Sequence, residues 1–107
     1  MTDAPLDMTV IRAAIDDLDR RIVPLLAERT EWVRRAAAFK PTRVDVVVPW
    51  RIEDVVAKAA AHAAATGADP APLAAMYRAI VDISIGQEAL AWDALHAGAA
   101  DGDAVEA

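Results

Sequence analysis

From Thr9 onward apolar residues recur every three or four positions: Ile11, Ile15, Leu18, Ile22, Leu25 and Leu26, then Trp32, Val33 and Ala36. That spacing gathers them on one face of an α-helix and predicts a first helix from about Thr9 to Phe39. Pro24 interrupts the pattern. It removes the donor that would bond the Arg20 carbonyl, so a kink, or less favourably a break, is expected there. The segment "PTRVDVVVP", 41–49, predicts a connector. Its β-branched run resembles a strand, but no second strand exists to pair with it. A second helix starts near Pro49 and continues through Ile52, Val55, Val56 and Ala59 to about Thr66, where Gly67 is a fitting stop. Asp69 and Pro70 read as cap and first turn of a third helix. It carries Leu73, Met76, Tyr77, Ile80, Ile83 and Leu90 to about His96. Residues 1–7 predict a loose leader, and 98–107 a disordered tail with little to bury. The fold class is all-α: one domain over 1–107, ordered at about 8–97, with one long helix and two shorter ones.

A helix of about 30 residues spans about 45 Å, wider than a globule of this chain length. Its two shorter neighbours cannot cover such a rod, so a homodimer is expected on geometry alone. Composition agrees: hydrophobic residues reach 56 %, but alanine supplies much of that, so burial per residue is small.

Charge narrows the partners. The net charge is −6, with nine of the eleven Lys and Arg in residues 1–51. An acidic total excludes nucleic acid and anionic membranes as main partners. No cysteine is present, no signal-like pattern opens the chain, and no apolar run approaches the ~20 residues that span a bilayer. A cytoplasmic protein is the expectation. No Cys/His/acid cluster has metal-ligand spacing and no Gly-rich phosphate loop occurs, so no metal and no cofactor are assigned. His62 and His96 stand alone and read as residues without a special role. Arg34 and Arg35 read as solvated surface.

Four cations remain, each flanked by apolar helix surface: Arg12, Arg29, Lys40 and Arg51. In "ERTEWVRRAAAFK", 28–40, an unbroken helix would set Arg29 and Lys40 on nearly the same side, about 16 Å apart. Arg12 lies about 25 Å from Arg29 along that helix, beyond joint reach of one small molecule unless it comes from the neighbouring chain of an antiparallel pair. Ser84 and Glu88, four apart, share a face of the third helix, with Gln87 beside them. Each residue has a bland reading as well: Arg51 as a solvated first-turn side chain, Arg29 in a local ion pair, Ser84 and Glu88 as an exposed strip. Taken together, half-buried cations need matching anions. A small dicarboxylate supplies them, because arginine binds carboxylates through paired hydrogen bonds.

The segments "IRAAIDDLDRRIVPLLAERTEWVRRAAAFK", "VPWRIEDV" and "SIGQEALAW" resemble the all-helical chorismate mutase family and the related isochorismate-pyruvate lyases. The resemblance covers roughly residues 9–96. It implies an intertwined homodimer in which Arg12 is donated across the interface. It further implies that Arg29 and Arg51 grip substrate carboxylates with Ser84 assisting, and that Lys40 bonds a carboxylate and the ether oxygen of the breaking C–O bond. Glu88 stands where most bacterial members carry glutamine as second donor to that oxygen. Two positions depart from the mutases, which often have acids where this chain has Val48 and Ile52. An apolar residue after the arginine is similar to the lyases.

The implied reaction is the pericyclic rearrangement of chorismate to prephenate in aromatic amino acid biosynthesis. It needs no nucleophile or cofactor, only a held conformer and stabilised charge on the ether oxygen. Glu88 can donate there only when protonated, so activity is expected to favour acidic pH. The competing readings are isochorismate-pyruvate lyase, a mutase for an amino analogue of chorismate, and a helical dimerisation module without chemistry.

Overall fold

The computed structural model describes the backbone of residues 5–106 and the side chains of residues 5–97. Helix α1 is Met8–Ala36, α2 is Pro49–Ala65 and α3 is Pro70–Glu106. Two 3₁₀ turns, Ala37–Phe39 and Arg43–Val46, lie in the connector between α1 and α2. No strand occurs among the described residues, as the all-α reading requires. The Val-rich run that resembles a strand is a 3₁₀ turn instead, closed by Thr42 and Asp45. The Asp45 carboxylate accepts from the Thr42 backbone N–H at 2.9 Å and from its hydroxyl at 2.8 Å.

Local chemistry sets the helix ends. Asp7 opens α1, its carboxylate accepting the Val10 N–H at 2.9 Å. The helix runs through Pro24 without a break. Its α-helical bonding ends at Ala36, and Ala37–Phe39 tighten into a 3₁₀ turn that closes at the expected Phe39; Pro41 disfavours helical backbone in the residue before it. Lys40 accordingly takes φ −99° and ψ 120°. At the far end of α2, Gly67 adopts φ +83°, and Gly67 and Ala68 donate to the carbonyls of Ala64 and Ala63. This paired bonding is the left-handed helix stop that glycine favours.

The third helix corrects the expected proportions. At 37 residues α3 is longer than α1 at 29, and residues 70–97 alone nearly match α1. Nothing at His96 ends it, since the alanine-rich sequence there keeps a strong helix propensity. The expected tail over 98–107 lies outside the described side chains, and residues 1–4 of the expected leader lie outside the described residues.

The chain divides into two compact units, residues 1–31 and 32–107. Within the second, α2 and α3 pack against each other, and the connector packs on α3. The buried apolar residues are small: Val46, Val56 and Val81 with Ala37, Ala59, Ala63 and Ala91. The first unit consists of the leader and most of α1, whose apolar face lies open. Ile15, Leu18, Ile22 and Leu25 are 46–65 % exposed.

Candidate active site

The connector leaves α1 with Lys40 in extended backbone, so its side chain departs from the direction of the helix. The premise of one unbroken helix carrying Arg29 and Lys40 on a common side is therefore corrected. Pro41 turns the chain before the lysine is reached. What this turn accomplishes is a meeting with α3. The Lys40 amine lies 3.1 Å from Glu88 Oε2. It also donates to the Asp45 carbonyl at 3.3 Å.

Glu88 is 5 % exposed, and Ser84, one turn earlier on the same face of α3, is equally buried. The exposed-strip reading of these two residues is thus excluded. The approach of Lys40 to Glu88 is an ion pair by distance, but Glu88 Oε2 makes no hydrogen bond of acceptable geometry. A buried carboxylate oxygen left in that state costs free energy, and a proton or a ligand donor reaching it would recover the loss.

Arg51 stands in the first turn of α2, exposed, and pairs with its own helix. Its guanidinium lies 2.7 Å from Asp54, which also accepts from Lys58 at 2.8 Å. Hydrogen bonds from Lys58, and then from Arg51, hold the Asp54 carboxyl below the usual aspartate range. Arg51 thus meets its bland reading in this state, as a first-turn cation with a local acid. Ile52 beside it is half-buried. Arg12 and Arg29 belong to the first unit, Arg12 exposed and Arg29 half-buried. Of the six residues singled out from the sequence, Lys40, Ser84 and Glu88 come together on the connector and α3.

Three further residues belong to this neighbourhood. Arg34, read as solvated surface, is half-buried, and donates to Gln87 at 3.5 Å. The Trp92 indole N–H donates to the Lys40 carbonyl at 3.0 Å. The His96 ring stacks on Trp92 with centroids 3.7 Å apart, and its Nδ1 lies 2.8 Å from the Trp92 carbonyl. The signal was present in the spacing: Ser84, Glu88, Trp92 and His96 follow one another at four-residue intervals and form one stripe. Next to that stripe Arg43 grips Asp93 through two bonds, 2.8 and 3.2 Å. Those bonds hold the Asp93 carboxyl below its usual range, and His96 adds a smaller contribution in the same direction.

Among the described residues no group of three His, Cys, Asp or Glu is placed to hold a metal. Among the described residues no helix is long and apolar enough to cross a membrane. The all-helical architecture is that expected of the type II chorismate mutases. The profile of that family matches residues 11–89, and the chain belongs to it. A comparison with curated proteins finds no match.

Proposed function

We propose that the protein is a chorismate mutase that rearranges chorismate to prephenate and works as a homodimer. The observation that carries the reading is the approach of the half-buried connector residue Lys40 to Glu88, buried on α3, both within the span that matches the family. Breaking the ether C–O bond builds negative charge on oxygen. A donor already aimed at that oxygen lowers the barrier, and losing one such donor costs about 10²–10³ in rate. Lys40 is that donor, Glu88 in its protonated form is the second, and Ser84 helps to orient a carboxylate. Arg29 and Arg51 bind the two carboxylates, with Arg12 supplied by the other subunit. The reaction proceeds within one molecule, so the site's work is to select the reactive conformer and meet its charge.

The dimer draws support from what a single chain leaves open. Besides the apolar face of α1, Met76, Ile83 and Leu90 on α3 recur at seven-residue intervals and are 58–68 % exposed. A groove of about 550 Å³ between the connector and α3 is lined by Val44, Val46, Val47, Ile85 and Ala89. Surfaces of this kind are covered by protein in a stable fold.

Ile52 favours a second reading, cleavage of isochorismate to pyruvate and salicylate, because the residue beside Arg51 is apolar. The test is incubation of the purified protein with each diacid. Loss of chorismate with formation of prephenate is expected. Fluorescent salicylate from isochorismate alone would instead establish the lyase. Consumption of neither would leave the helical dimerisation module, which further predicts that Arg29, Lys40 and Arg51 tolerate alanine.

A further inference from the structure

The side chain of Lys40 can act only if its backbone is held, and Lys40 lies in a connector rather than in a helix. Its main chain leaves α1 through a 3₁₀ turn and enters Pro41. Neither feature fixes where the amine points relative to α3. The Asp45 carbonyl in the connector accepts from the amine at 3.3 Å, and the contacts that tie Lys40 to α3 come from α3 itself. Trp92, one turn beyond Glu88, sends its indole N–H to the Lys40 carbonyl at 3.0 Å. The same helix face thus holds the main chain of Lys40 through Trp92 and meets its amine through Glu88. Two attachments on one rigid face, at the carbonyl and at the amine, define the direction of the side chain between them.

Trp92 is in turn held in place. The His96 ring lies nearly parallel to the indole, at an interplanar angle of 16°, and a single rotamer of Trp92 satisfies both the stack and the bond to Lys40. We propose that Trp92, backed by His96, is a positioning residue of the site: its N–H aims Lys40 at the point where Glu88 also points. This inference rests on the reading of Lys40 as the donor to the ether oxygen. Trp92 itself reaches the lysine backbone and not the reacting atoms. A displaced catalytic group is costly, since an error of about 1 Å in placement can lower a rate 10²-fold.

Trp92→Phe removes the N–H and keeps an aromatic ring for His96. In this variant kcat is expected to fall about 10-fold or more while KM changes less, because orientation and not binding is lost. In a Lys40→Ala background the same substitution is expected to have no further effect, since no amine remains to be aimed. A second readout does not depend on turnover. The rate at which formaldehyde and borohydride methylate Lys40, resolved by mass spectrometry of the full-length protein, is expected to rise several-fold in Trp92→Phe. An unchanged kcat and an unchanged methylation rate in a folded variant would overturn the proposal. So would a loss that adds fully to that of Lys40→Ala. If Trp92→Phe folds poorly, 3-benzothienylalanine at position 92, equal in shape and lacking the N–H, gives the same comparison. Were the wild-type protein to convert neither diacid, the mutase reading would fail, and the methylation rates would still decide whether Trp92 holds Lys40.

Discussion

Asp54 already holds the Arg51 guanidinium, which under the mutase reading grips a substrate carboxylate. It lies three residues after Arg51 and four before Lys58, spacings that place all three side chains together on α2. With its carboxyl held below the usual aspartate range, it remains ionised at neutral pH and competes for Arg51 with any arriving carboxylate. Asp54→Asn is therefore expected to lower KM several-fold at low salt with little change in kcat, read from steady-state rates. A second prediction concerns the buried acid. Glu88→Gln keeps a donor at all pH values, so the acid-favouring profile expected under the mutase reading flattens in this variant. An unchanged profile would remove Glu88 from the mechanism. The residues legible in the sequence at this scale were those whose charge conflicts with an apolar face. Lys40 meets Glu88, whose face of α3 Ser84 shares, whereas Trp92 was not singled out and His96, alone in the sequence, was read as without a special role. Only the connector's return to α3 gives them a role, and a return of that kind has no signature in helical spacing.

Helix boundaries were readable wherever a cap or a stop is chemical. Pro49, Gly67 and Pro70 behave as expected, because each acts through its own backbone. The first helical run closes at Phe39 as expected, its last turn tightened to 3₁₀, and Pro41 holds Lys40 in extended backbone beyond it. Pro24, by contrast, is carried inside α1, at the cost of the bond that the Arg20 carbonyl loses. Pro24→Ala is expected to raise stability by up to about 3 kcal/mol in urea unfolding, restoring that bond. The fastening of the connector to α3 has a pH signature. Asp93 is held below its usual range by Arg43, so the pair stabilises the fold above the unfolded aspartate's pKa. That contribution is lost as pH falls through the lowered folded value. Asp93→Asn should thus reduce the melting temperature slightly at pH 7 and low salt, with the difference shrinking as pH falls through the lowered folded value.

For the molecule as a whole, the length of the first helix led to the dimer reading, and the apolar side chains that α1 and α3 expose are what that reading draws on. What spacing did not reveal was the length of α3, because a weakly patterned, alanine-rich helix offers no apolar stripe to follow past His96. The dimer reading makes a sharp prediction if Arg12 completes the other subunit's site. Arg12→Ala and Lys40→Ala are each expected to be nearly inactive. After the two are unfolded together and refolded, about a quarter of the sites would be intact, one in each mixed dimer. Recovery of that activity checks the crossing, and none is expected if each chain serves itself. The open seam of α1 has one more consequence. If the chain dimerises as proposed, a newly made copy carries Ile15, Leu18, Ile22 and Leu25 bare until a sibling arrives, so its survival in a crowded cell would depend on how quickly it finds its twin. Scarce synthesis would then deplete the protein more than proportionately, because unpaired chains are the ones that proteases reach.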